Sequence, residues 1–241
     1  MHNPVVFLPG MMCDLRLFAW QLLEFGRDRA VTVAPITMGE RIEEIASNIL
    51  DRVPPKFALA GASLGGVVAM EMLRRAPDRI TRIALISANS LAETPQSAAE
   101  YEPSVIKLRS GKLEEAVNAL MPPENIAAGP GRSAVMAEVL EMARDMGPDA
   151  IIKQVRALQR RRDYQSVLRR CKIPALVLCG DQDGMAPLKR QSLMAELIPY
   201  AELAVIEGAG HLPTIEQASK TNAALHGWLK QPFVLQAAAK V

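Results

Sequence analysis

Gly61-Ala62-Ser63-Leu64-Gly65-Gly66 sets one serine among small residues, where its hydroxyl could act as a nucleophile. The apolar run Phe57-Ala58-Leu59-Ala60 before it reads as a buried strand, and residues 67–75 after it read as a helix ending before Pro77. G-x-S-x-G at a strand-to-helix junction is the nucleophile elbow, a turn so sharp that glycines must flank the serine. A serine hydroxyl is a weak nucleophile at neutral pH, so it needs a base to take its proton and a carboxylate to orient that base. The chain has three histidines, His2, His211 and His226. His2 is terminal and His226 reads as a helix-face residue. His211 lies in Glu207-Gly208-Ala209-Gly210-His211-Leu212-Pro213, just after a strand-like run, and is the expected base. An earlier loop, Gly180-Asp181-Gln182-Asp183-Gly184, offers two carboxylates, Asp181 and Asp183. The order Ser, Asp, His is the one that accompanies this kind of elbow. Negative charge developing on a carbonyl oxygen needs backbone N–H donors. The expected pair is Leu64 N–H, at the start of the helix, and Met11 N–H, in the loop after the first strand.

Such residues meet only if the elements around them end on one edge. Short apolar runs that read as strands recur at Val5-Val6-Phe7-Leu8, Ala30-Val31-Thr32-Val33-Ala34, the run before the elbow, Arg82-Ile83-Ala84-Leu85-Ile86-Ser87, Pro174-Ala175-Leu176-Val177-Leu178-Cys179 and Glu202-Leu203-Ala204-Val205-Ile206. Amphipathic stretches that read as helices separate them: 15–25, with Asp14 as its cap, 37–53, 188–198 and 215–229. Continuous apolar strands alternating with helices imply a parallel sheet covered on both faces. Right-handed crossovers would make it doubly wound, with the site beyond the carboxyl ends of its strands. The alternation breaks between 91 and 165, where only helix-like segments occur, separated by Pro122-Pro123 and Gly129-Pro130-Gly131. The reading is a core of residues 1–90 and 166–241, with a helical cap of residues 91–165 inserted after the fourth strand. Residues 231–241 read as a tail in which Phe233, Val234 and Leu235 could dock on the body.

A chain of 241 residues with 49% hydrophobic and 22% charged residues fits one α/β domain with an insertion. A net charge of +2 gives no nucleic-acid footprint. No apolar run is long enough to span a bilayer. The opening residues show no basic stretch followed by an apolar one, so the expected location is cytoplasmic. Cys13, Cys171 and Cys179 are odd in number and scattered, which implies neither a disulfide framework nor a metal site.

Four motifs in order carry a resemblance: Leu8-Pro9-Gly10, the elbow, Gly180-Asp181-Gln182-Asp183 before Pro187, and Gly208-Ala209-Gly210-His211. Arg162-Asp163 ahead of Ile173-Pro174 adds a fifth element, similar to the segment that re-enters the core after a cap. Over nearly its whole length the chain resembles a capped serine hydrolase of the α/β-hydrolase fold. The resemblance places the acid third after the loop glycine, which is Asp183, and leaves Asp181 a structural role. It implies cleavage of carboxylic esters with small to medium apolar acyl groups through an acyl-enzyme, with no metal or organic cofactor. It also covers lactonases, acyl-carrier-protein methyl ester esterases, C–C bond hydrolases, perhydrolases and non-catalytic ligand-binding relatives. Relatives with an aspartate nucleophile are disfavoured by Ser63. The chain departs from the family in having Pro9-Gly10 where His-Gly is common, and in lacking the N-terminal antiparallel hairpin.

Methionines cluster around these motifs. Met11 and Met12 flank the first loop and Met185 follows the acid, while Met121 lies in the proposed cap. With Leu212 after the base, Met12, Met185 and Met121 are the expected lining of an apolar, adaptable pocket. Cys13 reads as a small packed residue near the site. Arg156, Arg160, Arg161, Arg162, Arg169 and Arg170 form a basic cluster, either a solvated helix face or an attractor for an acidic carrier protein.

Overall fold

The computed structural model describes residues 3–233, so His2, Val234 and Leu235 lie outside the described residues. In chain order the elements are β1 (Val5–Leu8), α1 (Ala19–Phe25), β2 (Val31–Val33), α2 (Ile42–Leu50), β3 (Phe57–Ala62), α3 (Leu64–Arg75), β4 (Ile80–Ile86), α4 (Pro95–Ala99), α5 (Glu102–Arg109), α6 (Leu113–Leu120), α7 (Arg132–Met146), α8 (Pro148–Gln159), α9 (Gln165–Arg169), β5 (Ala175–Gly180), α10 (Leu188–Leu197), β6 (Ala201–Ile206), α11 (Pro213–Glu216) and α12 (Ala218–Lys230). The strands form one six-stranded sheet in the order β2-β1-β3-β4-β5-β6, and every neighbouring pair is parallel. β1, β3 and β5 are buried at every position, as side chains covered on both faces must be. No helix among the described residues is long and apolar enough to cross a membrane.

The strand order fixes where a site can lie. The chain runs outward from β1 to β2, then crosses back to β3 and continues to β6. Connections beyond β1 and β3 therefore diverge, and a crevice opens at their carboxyl ends. Met11 follows β1 and Ser63 follows β3, so both stand at this crevice. The loops after β5 and β6 reach the same edge, carrying Asp183 and His211.

α3 is buried from Leu64 to Leu73 because it runs between the sheet and its neighbouring helices. Its entry requires glycine. A Cβ on Gly65 would lie 2.2 Å from Leu8 O and 2.4 Å from Pro9 O, and one on Gly61 would lie 2.3 Å from Gly65 O. These obstacles are backbone atoms of β1, the loop after it and α3, and cannot turn aside. Gly65→Ala is therefore expected to cost about 3 kcal/mol or more in urea unfolding. Gly227→Ala, where a Cβ meets nothing within 4 Å, should leave stability unchanged or slightly raised.

Several helix boundaries differ from the periodicity reading: the helix expected over 15–25 opens as a 3-10 turn, Leu15–Phe18, and the one expected over 215–229 is broken at Gln217 between α11 and α12. α2 begins at Ile42 instead of 37 because Gly39 has φ 137° and Arg41 is extended. α3 begins at Leu64, directly after the serine, and not at Val67. Between β4 and β5 the chain forms only helices and a 3-10 turn, Pro123–Asn125. There α5 packs on α6 and α8, and α7 packs on both of those. The short helices α4 and α9 have no periodicity long enough to read. α4 is set locally by a capping box between Thr94 and Ser97, with Pro95 at its first position.

Candidate active site

Ser63 sits at the turn from β3 into α3 with φ 50° and ψ −115°. A non-glycine residue there stores about 1–3 kcal/mol of strain. The conformation is held because Ser63 N–H donates to Ile86 O at 2.8 Å and Gly61 and Gly65 let the backbones close in.

His211 Nε2 lies 2.9 Å from Ser63 Oγ. On the other side of the ring, Nδ1 lies 2.9 Å and 3.0 Å from the two carboxylate oxygens of Asp183. Asp183 Oδ1 also accepts N–H bonds from Met185 at 3.0 Å and Ala186 at 2.8 Å. Burial by itself would raise the Asp183 carboxyl. The hydrogen bond and positive field of His211, and the Ala186 N–H, outweigh it and hold the group below the usual carboxylate range. Asp181 is elsewhere: its Oδ1 accepts Gly208 N–H at 2.8 Å and Ala209 N–H at 3.3 Å. The serine, imidazole and buried carboxylate form one hydrogen-bonded chain, able to move a proton from Oγ to Nε2 while the carboxylate stabilises the imidazolium.

The loop after β1 takes an unusual path. Met12 has φ 62°, and its N–H donates to Oε1 of buried Gln154 on α8 at 2.9 Å. Cys13 N–H closes the turn onto Gly10 O at 3.2 Å. Neither Met11 N–H nor Leu64 N–H carries a hydrogen bond among the described residues. Both flank the crevice that holds Ser63, where a pair of unclaimed donors can receive an oxyanion.

A cavity of about 460 Å³ opens on Ser63 and His211. Its wall differs from the expected methionine lining. Met185 is there, but Met12, Met121 and Leu212 are packed in the core and take no part in it. Met12 turns inward, its N–H bonded to Gln154, instead of facing the crevice. Polar side chains line much of the wall, among them Asn89, Glu93, Ser97, Tyr101 and Arg161. Arg161 and Glu93 pair at 2.5 Å, both nearly inaccessible, and Arg161 Nε donates to Leu91 O at 2.7 Å.

The pattern of the alpha/beta hydrolase fold matches residues 40–218, about three-quarters of the chain. The chain belongs to the alpha/beta hydrolase fold family. It is 24% identical over 199 residues to a pimeloyl-[acyl-carrier protein] methyl ester esterase of Aliivibrio salmonicida, covering 78% of this chain and 74% of that one. Among solved structures it is similar to a thermophilic esterase from Thermogutta terrifontis, with a TM-score of 0.84 and 23% identity over 95% of this chain and 90% of that one. It is also similar to the enol-lactonase from Burkholderia xenovorans, with a TM-score of 0.83 and 21% identity over 96% of this chain and 92% of that one.

The remaining candidates in this hydrolase resolve into packing. His226 pairs with Glu24 at 2.8 Å and packs tilted against Phe25, outside the lining of the cavity. The Cys13 thiol is pushed up to about 12 by burial and then by the fields of Asp14 and Glu138, so it stays protonated. The arginine cluster is largely neutralised. Arg156 pairs with Glu102, Arg160 with Glu40, Arg161 with Glu93 and Arg162 with Glu43. Gln154, Glu93 and Ser87, a buried cavity residue with φ 47°, escaped the sequence reading, which named Arg161 only as part of the basic cluster. The signal for Gln154 was available: it is a polar residue on the stripe Ile151, Val155, Leu158 that α8 buries.

Proposed function

We propose that this hydrolase cleaves carboxylic esters through an acyl-enzyme on Ser63. His211 Nε2 takes the Oγ proton as Oγ attacks the ester carbonyl, and Met11 and Leu64 N–H groups receive the oxyanion. Collapse of the tetrahedral intermediate breaks the bond to the alkoxy oxygen, which leaves with the proton from His211. Water then gives a proton to His211 and attacks the acyl carbon, and the acid leaves as Ser63 Oγ recovers that proton. The observation that carries this reading is the unbroken chain Ser63–His211–Asp183, with both imidazole contacts at 2.9 Å.

The substrate reading follows from the cavity. A volume of about 460 Å³ suits small or medium esters, and the helical segment 91–165 acts as the cap that walls it. Polar groups on that wall favour acyl or alcohol parts that carry a hydrogen-bonding group over plain alkyl chains. A lactone is a cyclic ester and needs no different machinery. A carrier-bound ester, the substrate in the name of the Aliivibrio relative, draws less support, because four of the six arginines expected to attract an acidic carrier are already paired.

The test is turnover of p-nitrophenyl acetate, butyrate and octanoate. Saturable hydrolysis is expected, with kcat/KM highest for the shorter acyl groups and falling at octanoate as the cavity fills. A folded protein that turns over none of them would overturn the reading.

A further inference from the structure

A base works only if its ring is held against its neighbours, and the five-residue loop 208–212 has every backbone N–H tied. Gly208 and Ala209 donate to Asp181. Gly210 and Leu212 both donate to Glu216, to Oε2 and Oε1 respectively, at 2.8 Å each. His211 N–H donates to Asn125 O at 2.7 Å. One carboxylate thus grips the residues on either side of His211. The same Oε2 accepts Ala127 N–H at 2.7 Å, from the segment between β4 and β5.

That segment is wedged against both loops of the site. A Cβ on Gly210 would lie 2.2 Å from Asn125 O, and one on Gly184, next to Asp183, would lie 2.6 Å from Asn125 Oδ1. Gln182, in the Asp183 loop, accepts Ala128 N–H at 3.0 Å. Residues 125–128 therefore touch the loops of both the base and its carboxylate through directed bonds and contacts too close for any side chain. A staple that only closed a surface loop would need one of these bonds. Three bonds to one carboxylate, two of them bracketing His211, set the position of its Cα.

We propose that Glu216 is the positioning residue of His211, and that through Glu216 and Asn125 the helical segment between β4 and β5 completes the active site. This rests on the reading of His211 as the base. A bidentate carboxylate can accept on both oxygens at once, whereas an amide of the same shape must turn its NH2 toward one set of N–H donors. A loop released in this way misplaces the imidazole by a fraction of an ångström to an ångström, enough for up to about 100-fold in rate.

The experiment compares wild type with Glu216→Gln and Glu216→Ala in kinetics on p-nitrophenyl butyrate, thermal unfolding and proton NMR of the His211 Nδ1–H, the low-field resonance of a His–Asp hydrogen bond, identified by its loss in Asp183→Asn. For both variants we expect kcat to fall about 10- to 100-fold, with KM within about twofold because the substrate wall is untouched. The low-field resonance should be broadened or lost, in proteins that remain folded at the assay temperature. A folded Glu216→Gln protein with wild-type kcat and an unchanged resonance would overturn the proposal. So would unfolding of both variants, since Glu216 would then support the fold at large. Absence of turnover in wild type would instead remove the esterase reading, and the resonance, which needs no turnover, would still decide whether Glu216 holds the ring.

Discussion

Ser63→Ala is expected to lower kcat for p-nitrophenyl butyrate by at least about 10⁴. The methyl group cannot form the acyl-enzyme, so only direct attack by water remains, assisted by the two unclaimed N–H groups. Those groups are backbone and stay in place, which is why a residual rate above the uncatalysed one should persist. Thermal unfolding should shift little, because alanine fills the same space and Ser63 N–H still reaches Ile86 O. A drop smaller than tenfold in the folded variant would mean that the measured hydrolysis occurs elsewhere on the protein.

Asp183→Asn is the second large effect, expected to cost about 10⁴ in kcat. Asparagine keeps the shape, and its Oδ1 can still accept the Met185 and Ala186 N–H groups that Asp183 Oδ1 holds. The NH2 then faces His211 Nδ1 and forces the ring proton onto Nε2, the atom that must accept from Ser63. Asp181→Asn supplies the contrast: its Oδ1 can still receive Gly208 and Ala209, so the loss should stay below about tenfold. Equal losses in the two variants would overturn the choice of acid. A pH signature accompanies the first change. The Asp183 carboxyl is held below its ordinary range in the fold, so its charged form stabilises the native state above the unfolded carboxylate pKa. That contribution disappears as pH falls through the folded pKa. Urea unfolding below pH 3.8, the ordinary value of this carboxyl, against neutral pH should show a shallower loss of stability in Asp183→Asn than in wild type.

Much of the fold was legible because its signals are local. Apolar runs such as Val5-Val6-Phe7-Leu8 can be buried on both faces only in a covered parallel sheet, and the six strands appear in the expected sequence order. The boundaries that slipped did so at single backbone conformations, as at Gly39, which periodicity averages over. α4 and α9 were missed because five residues make less than two turns. Within the candidate site, Ser63, Asp183 and His211 could be named in advance because a strained elbow and two loop ends announce themselves through glycine. The lining could not. Met12 was placed by its nearness to the first loop and Met121 by its position in the helical insertion, and both are packed in the core.

The sequence by itself determined most element types, their order and which side chains could carry reactive chemistry, since each depends on sterics and polarity within a few residues. Only the tertiary structure decided the polar wall of the cavity and the supports of the site. Gln154 reaches Met12 across 142 positions, and Glu216 reaches Ala127 across 89. Such bonds form because packed helices deliver a buried acceptor to a backbone N–H that must be satisfied, and no local pattern states which acceptor will arrive.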